Sequence, residues 1–371
     1  MDWYQKLGLK RIINAAGNMT YLGASRISRG VAEAMIEGAS QFVDMAELKE
    51  RASQLLSQWT GSEAGLVVPS AAAGIVTSVA AALTYQVPDG LGALPGETGG
   101  PMKAVILKAH AVNFGAPITQ IAAVTGAKIV EVGQVNRATD SEIRFGLREA
   151  ACWLYVISHH ADPHGSIPLS RVVEMAHSVG CPVIVDAAAE RDYRKYVEAD
   201  VDLVIYSGHK AAQGPTSGFV VGHRNLVEEA QRHQDMGVGR AMKVGKEQIL
   251  GLLAALSEAL SKEEGEDERR WQEHAHGLKE LLAPFFRTEI VRDERGIPRC
   301  LVHENPETLR KLVAFLEQGD PSIRTRNHNL EAGSIMFDTR HLSQGDLAVI
   351  SERCRDFLMP SLGGSEHERH D

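Results

Sequence analysis

Cysteine is scarce in this chain: four residues in 371, at Cys152, Cys181, Cys300 and Cys354, with no C-x-x-C pair among them. That spacing excludes a zinc ribbon and a thioredoxin-type dithiol and leaves reduced, buried thiols as the expectation. Long apolar runs are missing too. No window approaches the roughly 18 uncharged apolar residues a membrane span needs, and Met1-Asp2-Trp3-Tyr4 leads to the charged pair Lys10-Arg11 without an apolar leader core. A soluble cytoplasmic protein is therefore expected. Basic patches are the third absence: 39 Lys and Arg stand against 48 Asp and Glu, a net charge of −9, and the basic residues are dispersed. Nothing in that distribution neutralises a phosphate backbone, so no nucleic-acid partner is predicted.

What is present is length and alternation. A chain of 371 residues with 44% hydrophobic residues can fill one large core and a smaller one, since single cores stop growing at about 250 to 300 residues. Residues 1–30 mix turn residues with short apolar runs and read as an N-terminal arm. Helical periodicity then runs through Ala34, Met35 and Ile36, and again from Met45 to Trp59 with a stop at Gly61. Beyond it, short apolar runs (65–68, 104–107, 128–132, 153–157, 183–185, 203–206) alternate with helical stretches near 71–85, after Asn113 and over 168–179. This alternation predicts an α/β fold, a mostly parallel sheet flanked by helices. The run Gly218-Phe219-Val220-Val221-Gly222 follows too soon for a crossover helix and is expected to pair antiparallel, giving a mixed sheet. The large domain is expected over 31–245, a linking helix over 246–264, a smaller C-terminal α+β domain over 265–360, and a solvated tail over 361–371. Five glycines and three prolines make 88–102 a loop.

In an open α/β sheet, ligands sit beyond the carboxyl ends of the strands, so the polar residues that follow each apolar run are the candidates. Pro69-Ser70-Ala71-Ala72-Ala73-Gly74 opens a helix on small residues, leaving N–H groups able to hold a phosphate. His110 ends the next run, where an imidazole can stack on a flat cofactor. His159 and His160 end another; side by side they point to opposite faces, which suits one acid–base group and makes a poor metal pair. No metal site is predicted. The strongest pair is Asp186, ending Val183-Ile184-Val185, and Lys210, 24 residues later, in Ser207-Gly208-His209-Lys210. A strand-end carboxylate can hold the protonated ring nitrogen of pyridoxal 5′-phosphate (PLP) while a lysine beyond the next strand forms the Schiff base. Ser207 can bind the phosphate, and Gln213-Gly214-Pro215 turns the chain back to the sheet.

As a set these residues, with Asn14-Ala15-Ala16-Gly17, Leu22-Gly23 and Arg240 to Lys246, resemble the L-seryl-tRNA selenium transferase (selenocysteine synthase) family, and most of all its shorter branch, which includes D-glucosaminate-6-phosphate ammonia-lyase. The resemblance covers the chain from the arm to the linking helix. It implies fold type I of PLP enzymes, Lys210 as the Schiff-base lysine, Asp186 on the ring nitrogen, Ser70, Ala71, Ala72, Gly74 and Ser207 at the phosphate, Arg240 beside the pocket, and a homodimer or larger homo-oligomer. Two departures stand out: the arm begins near residue 10, where the selenium transferases carry an N-terminal tRNA domain, and His209 replaces the acidic residue that precedes their lysine. Both point to a small substrate. The expected reaction is an α,β-elimination on a hydroxylated amino acid or amino-sugar acid, giving a 2-keto acid and ammonia, with His159, His160 or His209 as acid. A racemase, aldolase or aminotransferase stays open, as do a selenium transferase and a tRNA-linked accessory protein.

Overall fold

Seven of the apolar runs become one sheet: β1 (Ala64–Val68), β2 (Lys103–Leu107), β3 (Lys128–Val132), β4 (Ala150–Val156), β5 (Val183–Asp186), β6 (Leu203–Ser207) and β7 (Gly218–Gly222). Their spatial order is β1-β7-β6-β5-β4-β2-β3. The pairs from β6 through to β3 are parallel, whereas β7 runs antiparallel to both of its neighbours. The mixed sheet expected from the short turn after Lys210 is therefore present. Strand β4 begins three residues earlier than its apolar pattern indicates. The computed structural model describes residues 3–158, 167–263, 265–293 and 295–359. His159, His160 and the tail from 360 onward lie outside the described residues.

Alternate residues of these strands enter separate cores, as the two-residue period demands. Val67, Val105, Val183, Val185, Tyr206 and Phe219 belong to one, and Leu66, Val68, Ala104, Ile106, Ile184 and Ile205 to the other. Helices cover both faces. α1 (Arg29–Ser40) is capped by Ser28, and α2 (Met45–Thr60) by Asp44, whose Oδ1 accepts from the N–H groups of Ala46 and Glu47. Gly61 ends α2 at a φ of 77°, which glycine adopts without strain. α3 (Ala71–Thr84) is buried from Ala73 onward. The helix after Asn113 is short, at Ile118–Ala123. Two helices, Asp140–Leu147 and α4 (Arg224–Met236), were not anticipated; α5 (Lys246–Ser261) follows them.

The chain forms two compact units, one from Ile27 to Ser261 and one that joins the segment up to Arg26 to the segment from Lys262 onward. In the second, β8 (Arg287–Arg292), β9 (Pro298–His303) and β10 (Ser334–Asp338) make an antiparallel sheet with β9 central. Ile12–Asn14 pairs in parallel with Ser322–Arg324, and Ile13 and Ala15 share a core with Leu278, Leu282, Phe337 and Leu347. The four cysteines are free and buried. Among the described residues, no helix is long and apolar enough to cross a membrane, and no group of three His, Cys, Asp or Glu could hold a metal ion.

Candidate functional site

The sheet brings its candidates together because β4 and β5 end in register and β6 ends two residues beyond them. Asp186 is the last residue of β5, opposite Val156 on one side and Ile205 on the other. The residue is 5% exposed, and its carboxylate accepts a hydrogen bond from the Ala188 N–H at 3.1 Å. Burial pushes its pKa up, against the opposing pull of the Lys210 charge and the Ala188 N–H. A carboxylate kept this dry is suited to a cationic N–H partner.

Ser207 ends β6, and its side chain is 2% exposed. The Oγ is buried and has no hydrogen-bond partner among the described residues. Across the ladder, Ser207 is opposite Gly218. Gly218 in turn packs on the start of α3: a Cβ there would meet Ala71 N and the Ser70 carbonyl carbon at 2.9 Å and Tyr206 O at 2.8 Å. Glycine at this position is what allows the Ser207 strand end and the open N-terminus of α3 to share one corner. Ser70 caps that helix through Ala73 N at 3.1 Å, while Ala72 is exposed. Gly218→Ala would press on backbone atoms on two sides, so we expect a loss of about 1 to 3 kcal/mol, typical of overpacking, and weaker PLP binding. Thermal unfolding with and without PLP checks both.

Lys210 follows Ser207 in a loop held by Gly208 N to Ser217 O at 2.9 Å and Gly214 N to Gly208 O at 2.8 Å. Gln213 there has a φ of 56°, outside the usual range for a residue with a side chain. Lys210 and His209 are half-buried. Burial, and then the Lys210 charge, lower the His209 pKa, which favours the neutral imidazole.

His110 lies beside the same strand ends, since its Nδ1 accepts from the Val156 N–H at 3.2 Å. The ring is 2% exposed and burial lowers its pKa to about 4, so the proton sits on Nε2. The edge of Tyr155 meets it at 4.3 Å between centroids. A different aromatic residue, Phe114, lies by the lysine, with its ring centroid 5.8 Å from Lys210 Nζ. It was not anticipated; its signal is Asn113-Phe114-Gly115, a turn sequence directly after a strand end. Arg240 is exposed, on the short turn Val238–Met242.

A buried carboxylate, a lysine near it, a partnerless buried hydroxyl and an open helix N-terminus in one corner fit the ring nitrogen, aldehyde and phosphate of PLP. The comparisons agree. A model of the family described as L-seryl-tRNA selenium transferase matches residues 12–270.

The chain belongs to the L-seryl-tRNA selenium transferase family.

Within and around this family, the chain is 36% identical over 360 residues to D-glucosaminate-6-phosphate ammonia lyase of Salmonella typhimurium, covering 95% of this chain and 97% of that one. It is 37% identical over 376 residues to 5′-C-glycyluridine monooxygenase-decarboxylase of a Streptomyces species, covering 97% and 93%. The solved structure of D-glucosaminate-6-phosphate ammonia-lyase superposes with a TM-score of 0.88 at 34% identity, over 97% of this chain and 99% of that one. The fold of this selenium transferase family member is fold type I of PLP enzymes.

Proposed function

We propose that the protein is a PLP-dependent lyase of the cytoplasm that removes water and ammonia from a hydroxylated amino acid of the amino-sugar acid class, leaving a 2-keto acid. The observation that carries this reading is the buried Asp186 with Lys210 close enough to act on its carboxyl. The 36% identity to an ammonia lyase over nearly the whole chain supports the reaction class. Four free, buried cysteines suit a reducing compartment.

When bound, PLP supplies an electron sink for the charge left at the substrate Cα. Lys210 Nζ would anchor the cofactor and, when freed, would accept the Cα proton. Asp186 accepts a hydrogen bond from the ring nitrogen and keeps a proton there. Ser207 Oγ and the N–H groups that open α3 take the phosphate. The β-hydroxyl leaves with a proton; His209, held neutral next to Lys210, can relay it, as can His159 or His160. Arg240 is exposed and available to an anionic group of the substrate.

Incubation with D-glucosaminate 6-phosphate, and with the unphosphorylated acid, tests the reading. We expect ammonia and a 2-keto acid in equal amounts, and a visible absorbance band that borohydride bleaches. Recovery of the substrate with inverted configuration and no ammonia would replace the lyase with a racemase. A second reading rests on the 37% identity to a monooxygenase-decarboxylase: uptake of O2 with release of CO2 in the same incubations would favour it.

A further inference from the structure

The connection after β2 is built to present one aromatic ring. Asn113 and Pro117 form a β-bridge, Asn113 Oδ1 accepts from the Gly115 N–H at 3.0 Å, and the Phe114 N–H donates to Ala116 O at 3.3 Å. Gly115 makes the reversal possible with a φ of 104°, a conformation side chains rarely adopt. Phe114 stands at the tip of this narrow hairpin, 48% exposed. A phenyl ring left half in water contributes little to the core, so packing does not account for it. Its centroid is 5.8 Å from Lys210 Nζ, and the negative face of a phenyl ring attracts an ammonium but not a neutral amine.

Building on the elimination proposed above, we infer that Phe114 is a positioning residue for Lys210: its ring receives the Nζ ammonium that forms when the freed lysine takes the Cα proton. In that step the Cα–H bond breaks, its electron pair stays with the substrate, and a new N–H bond forms at Nζ. Held against the ring, the proton is kept from returning to Cα while the β-hydroxyl takes a proton relayed from solvent through His209 and leaves as water. The ring acts through the lysine, touching neither of the breaking bonds, and so sets the division between elimination and return of substrate.

Phe114→Leu keeps an apolar side chain and removes the ring, whereas Phe114→Tyr and Phe114→Trp keep a ring face. In D2O, the ratio of deuterium in recovered substrate to keto acid formed is expected to rise about two- to thirtyfold in Phe114→Leu, the range a cation–π contact spans, with KM and the visible band unchanged. Tyr and Trp are expected to restore the wild-type ratio. A second measurement needs no turnover: in the full-length chain stripped of PLP, the pH at which half of Lys210 reacts with an amine reagent, followed by mass spectrometry, should fall by about 0.4 to 1.5 in Phe114→Leu and stay put in Phe114→Tyr. An unchanged labelling midpoint in Phe114→Leu overturns the role of the ring whatever the reaction is. A wild-type protein that makes no keto acid while the midpoint still moves removes the elimination reading and leaves the ring–lysine contact standing.

Discussion

Lys210→Ala is expected to lose the visible band altogether and to lower turnover by about 10,000-fold or more, because in the proposed mechanism one side chain supplies both the anchoring amine and the base for the Cα proton. The fold should not share in the loss. Lys210 is half-buried in a loop whose shape is set by main-chain bonds from Gly208 to Ser217 and from Gly214 to Gly208, none of which involves its side chain. The stability of the cofactor-free variant is therefore expected to fall by no more than about 2 kcal/mol, the size of the ring contact that the lysine loses. Lys210→Arg sharpens the test: it keeps the positive charge near Asp186 but cannot form the carbon–nitrogen double bond, so it should be as inactive as the alanine variant. Turnover retained in either variant would remove Lys210 from the chemistry.

Much of the site was legible because β-strand ends are legible. Apolar runs of three and four residues end sharply at Asp186 and at Ser207, and in a parallel sheet such ends fall on one edge, so strand order did not have to be known to group them. Gly218 illustrates what the pattern hid. It reads as the first residue of a strand, yet its consequence, the approach of Ser207 to Ser70 and Ala71, depends on β7 lying between β1 and β6, and that is a matter of topology. His110 and Phe114 are a second case. Both follow the same run, but one imidazole nitrogen of His110 is taken up by the Val156 N–H, and only the hairpin geometry carries Phe114 to the lysine.

The smaller unit shows the same rule left unapplied. Ile335-Met336-Phe337 ends in Asp338-Thr339-Arg340, a strand end as clear as that of β5. Asp338 is fully buried there between Arg299 and Arg340. Burial alone would raise its pKa, but Arg340 and Arg299 outweigh it and hold the carboxylate low. The comparison with Asp186 is instructive, since two buried strand-end carboxylates respond in opposite directions. Asp338 has its cations in place within its own unit and contributes to that unit's stability; at Asp186 burial outweighs the Lys210 charge and the pKa is raised.

That difference fixes the outcome of Asp186→Asn. The amide keeps the volume and can still accept from the Ala188 N–H, but it carries no charge to hold a proton on the ring nitrogen. Loss of one member of a buried ion pair costs about 3 to 5 kcal/mol, so turnover should fall roughly 200- to 5,000-fold, with weaker retention of PLP. Stability should move the other way. A carboxyl whose folded pKa lies above its unfolded value disfavours folding once it is ionised, and the cost is absent at low pH, where both states are protonated. Relative to wild type, the cofactor-free Asp186→Asn protein is therefore expected to melt at the same temperature well below the ordinary carboxyl pKa of 3.8 and at a higher one at pH 8. Saturating PLP should narrow or reverse that gap, because only the wild-type carboxylate gains a cationic partner. A variant that instead melts lower at pH 8 without cofactor would mean that Asp186 supports the fold itself, and that the charge at the end of β5 is not held there for the ring.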